Sequence, residues 1–375
     1  MSSIAARSDA MPHVVVGMSG GVDSSVAAYL LKQQGYRVSG LFMVNWTEDE
    51  EGYCTAAEDF QDARRVAEEL EIPLHRVDFS AEYRERVFAH FLADYAAGKT
   101  PNPDVLCNRE VKFQPFREYA LRLGADFIAT GHYARIEQAA DGPQLWRAVD
   151  DNKDQTYFLA AVAREHFRQT LFPIGHLRKP EVRALAAQAG LPVHQKKDST
   201  GICFIGEREF REFLGRYLKS EPGPIVDDSG QEIGRHQGLS YYTLGQRKGL
   251  GIGGTRGAAD APWYVVEKQA ASRTLIVSQN PQHPRLMCQS LETDTFNWLA
   301  PPPGRDQAIS ARIRHRQALQ ACHAEGIGGR VRVRFEQPQR AAVAGQYCVL
   351  YDGERCLGGG EIAGVHSLAD TSQPR

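Results

Sequence analysis

The chain is short of several things that would each point to a function class. Its seven cysteines include no Cys-x-x-Cys pair, so neither a tetrahedral zinc site nor a thiol-ligated iron–sulfur cluster has a local signature. The cysteine count is odd and the positions are scattered, which argues against a secreted disulfide framework. No apolar run approaches the roughly 20 residues that cross a bilayer, and no charged segment followed by an apolar stretch opens the chain. A cytoplasmic protein that meets no membrane is therefore expected. Charge of one sign is also missing: the net charge is −2, so any nucleic-acid contact has to come from local basic patches. There is no internal repeat and no low-complexity segment. At 375 residues the chain is long enough for two or three domains.

What is present begins at residue 14. Val14-Val15-Val16 reads as a buried strand, and Gly17-Met18-Ser19-Gly20-Gly21-Val22-Asp23-Ser24 follows it and opens a helical pattern. Two glycines let backbone approach an anion, and the helix start turns its unbonded N–H groups and its dipole toward negative charge. No lysine follows these glycines, so this is not the Walker loop. An acid, Asp23, stands there instead, which makes sense if Mg²⁺ sits between it and bound phosphates.

The first half of the chain then alternates strand and helix. A helix carries Val22, Val26, Tyr29 and Leu30 on one face and ends at Gly35; strands follow at 38–43 and 74–78. Thr55-Ala56-Ala57-Glu58 reads as a capping box, Ser80 as the cap of a helix to about Ala96, and a further helix runs from about Phe113 to Gly124. The stretch 126–130 supplies another strand, with Gly131-His132 directly behind it. This alternation predicts an α/β domain with a parallel sheet and its ligand at the carboxyl ends of the strands. Met43 ends the second strand, where it can lie against an adenine ring or pack in the core. After about Arg208 the texture changes to glycine- and proline-rich turns and short alternating runs, which predict a small central domain followed by a β-barrel. The expected division is 1–207, 208–284 and 285–375. Asp352-Gly353 marks a hairpin.

Two cysteines have unusual surroundings. Pro101-Asn102-Pro103-Asp104-Val105-Leu106-Cys107-Asn108 stiffens the approach to Cys107, which precedes a helical pattern near Glu110; a thiol at a helix start has its thiolate stabilised. Cys203 lies in Asp198-Ser199-Thr200-Gly201-Ile202-Cys203-Phe204-Ile205-Gly206, near Lys196-Lys197. The other cysteines stand in strand-like or plain contexts. Arg312, Arg314 and Arg316 alternate, as do Arg330, Arg332 and Arg334, so each set is expected to share one face of a strand and could follow an RNA backbone.

The Ser-Gly-Gly-x-Asp-Ser loop resembles that of the PP-loop ATP pyrophosphatases, which split ATP between its α- and β-phosphates. With Pro-Asn-Pro-Asp-x-Leu-Cys-Asn, Asp-Ser-Thr-Gly-Ile-Cys-Phe-Ile-Gly, Gly131-His132-Tyr133-Ala134, Lys153-Asp154-Gln155-Thr156-Tyr157, Thr243-Leu244-Gly245-Gln246-Arg247-Lys248-Gly249 and Tyr351-Asp352-Gly353-Glu354-Arg355-Cys356, the chain resembles the bacterial tRNA-specific 2-thiouridylases over nearly its whole length. That resemblance implies 2-thiolation of the wobble uridine of tRNA. It implies that residues 17–24, Met43 and Gly131 hold ATP with Mg²⁺. Asn102, Pro103 and Asp104 would meet the flipped base, Asp104 among the catalytic residues. Cys203 would carry a persulfide and Cys107 would be its nucleophilic partner, the two passing through a transient disulfide. His132, Lys153, Asp154, Gln155 and Gln346 would be tRNA contacts, joined by Arg247, Lys248, Arg314, His315 and Arg316. The expected partners are tRNAs for Lys, Glu and Gln and a sulfur-relay carrier or cysteine desulfurase. The family's Arg-Tyr-Arg-Gln reads Arg314-His315-Arg316-Gln317 here, which puts a tyrosine-type contact in doubt. Other readings weighed on the residues are a small-molecule synthetase using the same loop, an RNA-binding module without catalysis, and a cluster-dependent thiolase. The last is disfavoured by the missing Cys-x-x-Cys.

Overall fold

The computed structural model describes residues 11–46, 55–198, 210–252, 261–305 and 307–370. The chain divides into two compact units, one from residues 1–84 and 107–206, the other from 85–106 and 207–375.

The first unit is a parallel sheet. Strands β1 (His13–Gly17), β2 (Arg37–Val44), β3 (Leu74–Asp78) and β4 (Phe127–Thr130) lie in the order β3-β2-β1-β4, with Thr170–Leu171 beside β4. Val14, Val15 and Val16 are wholly buried, as a strand covered on both faces requires. The chain winds from β1 outward to β3 and then returns to the other side of β1 as β4. The crevice between the carboxyl ends of β1 and β4 is thus the point where the winding reverses, the place where such sheets bind ligands.

Helix α1 (Val22–Gln33) connects β1 to β2. It ends as its glycine predicts: Gly35 takes a φ of +84°, Gly35 N–H reaches the Lys32 carbonyl and Tyr36 N–H the Leu31 carbonyl. Its buried face differs from the expected one. Val26, Ala27, Ala28 and Leu31 go inside, while Tyr29 and Leu30 are only partly covered, because small alanines let the helix lie close to the sheet. Helix α2 (Thr55–Glu69) follows β2; the expected capping box falls on side chains outside those described.

Two helical expectations are corrected. The helix expected from Ser80 to about Ala96 forms over that span, with a π-helical turn, Arg84–Phe88, between Ser80–Tyr83 and Ala89–Ala96, but Ser80 does not cap it: Phe79 stands at the cap position and Asp78 Oδ1 accepts the Ser80 N–H at 2.8 Å. The helix expected from Phe113 begins instead at Pro115, since proline at the first position closes off the preceding turn.

The second unit holds a four-stranded sheet and a closed barrel. The sheet runs Tyr264–Gln269, Thr274–Ser278, Gly223–Val226, Glu232–His236 around Ile225, Val265, Leu275 and Val277. The barrel runs Met287–Trp298, Arg330–Arg340, Gln320–Ile327, Ile309–Arg312, Tyr347–Asp352 and Arg355–Ser367, and the last strand pairs with the first. The hairpin turns through Gly353-Glu354, since Asp352 faces Arg355 across it. Its core holds Leu291, Val333, Phe335, Leu350 and Ile362 together with Cys288, Cys322 and Cys348. Burial pushes the Cys288 thiol up to about 11 and the Cys322 thiol up to about 12, so both are packing residues at neutral pH.

Candidate active site

The glycine loop sits at the β1 carboxyl end and delivers the chain into α1. Gly20 has a φ of +74°, and a Cβ on it would come within 2.2 Å of the Asp59 carbonyl oxygen. Any side chain there would push α2 off the loop. Ser24 and Ser25 donate their hydroxyls to the Gly21 carbonyl at 3.2 and 2.8 Å, and Ser19 N–H donates to Ser24 Oγ at 3.2 Å. The serines thus fold the loop on itself. No side chain caps α1 at Gly21, so the helix start keeps its donors for another acceptor. Gly131, after β4, lies against this start. A Cβ there would stand 2.6 Å from the Ser24 nitrogen. Met43 is half-buried on β2, next to Val77 of β3 in the sheet register. The loop, Gly131 and the strand ends therefore converge as the sequence predicts.

Around the loop lies a charged network in which Lys179, Asp150 and Tyr133 play parts that the sequence analysis did not assign to them. Lys179 Nζ bonds both Asp23 carboxylate oxygens, at 2.7 and 2.9 Å, and Asp198 at 2.8 Å. Tyr133 Oη donates to Asp23 Oδ1 at 2.9 Å. Burial raises the Tyr133 phenol above its ordinary value and the Asp23 charge adds to this, so it stays a donor. Asp198 also binds Lys153 at 2.5 Å and Arg183 at 2.8 Å. Burial alone would raise the Asp198 carboxyl, but hydrogen bonds from Lys153 and Lys179 outweigh it and hold the group well below the usual carboxylate range. Lys196 Nζ reaches Asp59, Asp62 and the Gly20 carbonyl at 2.6, 2.5 and 3.2 Å. A faint sequence signal for Lys179 existed: Lys179-Pro180 begins a helix with a cation, against the helix dipole, which needs a local acid to be tolerated.

Cys107 is not where the sequence reading put it. Asn102 Oδ1 accepts the Val105 N–H at 3.3 Å and so caps a short helix, Pro103–Cys107, which runs into a π-helical turn, Asn108–Lys112. Cys107 ends that first helix and is 1% exposed. Stabilisation of its thiolate by a helix N-terminus therefore has no basis in this fold. Asn102 and Pro103 begin the helix and Asp104 lies in its first turn. Cys203 lies outside the described residues, as does Cys54.

The residues expected to touch RNA divide. Lys153 is partly exposed and engaged with Asp198. Asp154 is instead a buried structural acid, accepting from Ala148 N–H, Thr156 N–H and Thr156 Oγ1. Gln155 accepts the Tyr133 N–H at 2.8 Å. His132 is 8% exposed, paired with Thr130 Oγ1 at 2.7 Å and set beside the rings of Phe113 and Phe172. Gln346 donates to the Thr100 carbonyl at 2.9 Å and accepts from Asn102 Nδ2 at 3.4 Å; it braces the Asn102 turn. Arg247 and Lys248 are exposed on their loop. The expected alternation of Arg312, Arg314 and Arg316 fails, because the strand stops at Arg312 and Arg316 turns to a φ of +65°. Arg312 is buried over the Tyr351 ring, Arg314 donates to the Ala341 carbonyl at 2.7 Å, His315 is half-buried, and Arg316 alone of the set is exposed. Arg330, Arg332 and Arg334 do share an exposed face, but Arg332 is paired with Glu292 at 2.6 Å, which offsets part of the stripe's charge.

Among the described residues no group of three His, Cys, Asp or Glu could hold a metal ion, and no helix is long and apolar enough to cross a membrane. A family profile described as "tRNA methyl transferase HUP domain" matches residues 12–207, one described as "tRNA methyl transferase PRC-barrel domain" matches 211–279, and an "Aminomethyltransferase beta-barrel domain" matches 288–362. A curated protein of Sodalis glossinidius named "tRNA-specific 2-thiouridylase MnmA" is 57% identical over 95% of this chain and 98% of its own length. Its namesake in Hahella chejuensis is 54% identical over 94% of this chain and 97% of its own. Among solved structures, the U34-tRNA thiolase NcsA of Methanococcus maripaludis with its [4Fe-4S] cluster is 20% identical, with a TM-score of 0.34 over 51% of this chain and 60% of its own, too distant to bear on mechanism. The chain belongs to the tRNA-specific 2-thiouridylase MnmA family.

Proposed function

We propose that this protein uses ATP to replace the C2 oxygen of the wobble uridine of tRNA with sulfur, releasing AMP and pyrophosphate. The observation that carries the ATP part is the Ser-Gly-Gly-Val-Asp-Ser loop at the β1–β4 crevice, with an uncapped helix start behind it and Gly131 fitted against that start. Residues 17–24, Met43 and Gly131 are the ATP contacts in this reading. A magnesium ion, when bound, would neutralise phosphate charge there. Asp23 is the loop's one carboxylate, so the ion would draw its remaining oxygens from phosphate and water.

The chemistry follows from what makes a carbonyl oxygen a poor leaving group. Uracil O2 attacks the α-phosphorus; the bond from that phosphorus to the bridging oxygen breaks, pyrophosphate leaves, and the N3 proton is lost. Asn102, Pro103 and Asp104 are assigned to the flipped base. Sulfur arrives on Cys203 as a persulfide from a carrier protein or cysteine desulfurase. The Cys107 thiolate attacks the Cys203 Sγ, a Cys107–Cys203 disulfide forms, and the outer sulfur departs as hydrosulfide. Hydrosulfide adds at C2, AMP leaves, and a dithiol reductant resets the pair. Direct transfer from the persulfide, assisted by Cys107, is the second route. The division of labour would follow residues 1–207 for ATP and sulfur, 208–284 as a connector, and 285–375 with Arg247, Lys248, Arg314, His315 and Arg316 for the RNA backbone. The substrates would be tRNAs for Lys, Glu and Gln, in the cytoplasm.

Cys107→Ser and Cys203→Ser test the thiol roles. Each is expected to abolish 2-thiouridine formation from a sulfide-free donor while ATP affinity, measured by calorimetry, stays within about twofold of the parent. Full thiolation by either variant would end the two-thiol scheme.

A further inference from the structure

Lys268, on the strand Tyr264–Gln269, is half-buried and, among the described residues, pairs with no carboxylate. Its Nζ donates to two main-chain carbonyls instead, Gly98 at 2.6 Å and Tyr242 at 3.1 Å. Two residues beyond the first and one beyond the second, Thr100 Oγ1 and Thr243 Oγ1 meet at 3.2 Å. The two contacts make a clasp between 98–100 and 242–243. Gly98, at a φ of +77°, follows the helix Ala89–Ala96, so the ammonium also stands near the negative end of that helix dipole. The barrel holds the same segment: Thr100 N–H bonds the Ala344 carbonyl and Gln346 the Thr100 carbonyl, each at 2.9 Å. Packing alone does not call for a charge here. An apolar chain of equal length would fill the space, whereas an ammonium loses hydration in it, and burial lowers the Lys268 pKa to about 8. The charges around it are engaged elsewhere: Lys99 with Asp94 and Glu361, Glu267 with Arg285, and Arg211 over the Tyr242 ring, with His236 beside that ring. The other titratable groups on these elements are the phenols of Tyr95, Tyr241, Tyr242 and Tyr264.

We propose that Lys268 is a positioning residue for thiolation: its ammonium locks the segment 98–102, and with it the first turn of the Pro103–Cys107 helix, in the place the target base requires. The proposal rests on the reading that gives Asn102, Pro103 and Asp104 to that base. Without the charge the Gly98 and Tyr242 carbonyls are no longer held together, and a displacement on the order of 1 Å at a reacting group can slow a reaction by about 100-fold. The glycine loop belongs to the other unit, so ATP affinity should not follow the loss.

The test uses the full chain with magnesium, unmodified tRNA, saturating ATP and a persulfide donor. Lys268→Met should lower the kcat for 2-thiouridine by about 10- to 100-fold, with ATP affinity by calorimetry within about twofold and faster hydrogen exchange at the Thr100 amide. Lys268→Arg keeps the cation and should stay within about threefold of the parent near pH 7. The lysine is charged below its pKa and neutral above it, so its hold weakens as pH rises, while arginine stays charged. The ratio of parental to Lys268→Arg kcat should therefore fall about tenfold between about pH 7 and 9, a change that a merely structural lysine would not produce. A parental kcat in Lys268→Met, or a ratio that stays flat over that range, would overturn the proposal. Equal loss of ATP affinity and kcat would overturn it too, by making Lys268 a residue of general stability. Where the Met variant does not fold, the pH ratio carries the test. A parent protein that forms no 2-thiouridine would instead overturn the thiolation reading itself.

Discussion

His132 shows how one side chain fixes a property of the whole. It follows β4 directly, is buried, and offers one ring nitrogen to Thr130. Burial first, and the nearby Lys112 charge second, drive its pKa well below the usual 6.5, so the folded imidazole stays neutral. In the unfolded chain the same ring takes up a proton near its ordinary value. Acid therefore favours the unfolded state: the stability this neutral ring allows is present above about pH 6.5 and is lost as pH falls below it. Denaturant titrations of the parent and of His132→Asn between pH 7.5 and 5.5 check this. The variant should lose less stability on acidification, by up to about 1.4 kcal/mol per pH unit, the value of one proton. His13, His166 and His236, whose pKa values burial also lowers, should leave a residual slope in both. Identical slopes would show that His132 titrates normally in the fold.

At the scale of elements, the decisive feature is how a barrel loop holds the turn ahead of Cys107. Gly345 takes a φ of +90°, and a Cβ on it would stand 2.9 Å from the Thr100 carbonyl carbon. Thr100 N–H bonds the Ala344 carbonyl at 2.9 Å, and Gln346 holds the carbonyls of Thr100 and Pro101. Lys99 is tied to Glu361 at 2.8 Å and to Asp94 at 3.1 Å. Gly345→Ala should displace residues 100–102 and with them the start of the Pro103–Cys107 helix. Thiolation of tRNA should fall at least about tenfold while ATP affinity is unchanged; normal thiolation by this variant would show that the brace is dispensable. The strands and the Gly35 helix stop were legible in the sequence, because periodicity and a positive-φ glycine are local facts. The brace was not. Gln346 entered only as an RNA contact implied by the resemblance; its partners in the fold, Thr100 and Pro101, are about 245 residues away and no local pattern reports them. The π-helical turn at Arg84–Phe88, inside the helix that the sequence does predict after Ser80, was equally hidden, since no local pattern reports the packing of Phe88 on Phe213 and Tyr217.

For the whole molecule, the alternation of strand and helix gave the parallel sheet, and the turn-rich second half gave the barrel. The glycine loop and Gly131 were readable because each is a short motif at a strand end. Lys179 was missed because its relation to Asp23 exists only once the sheet is wound. The arginine stripes were half right: Arg330, Arg332 and Arg334 do alternate on an open face, whereas Arg312 turns inward because its strand ends there. The central claim joins these parts into one reaction, ATP-driven exchange of oxygen for sulfur on a tRNA base. Mass spectrometry of nucleosides, after incubation of the protein with unmodified tRNA, ATP and a persulfide donor, addresses it most directly. The account predicts 2-thiouridine at the wobble position with AMP formed in step with it, and none when ATP is left out. Unchanged uridine in the complete reaction, or thiolation that proceeds equally without ATP, would contradict it.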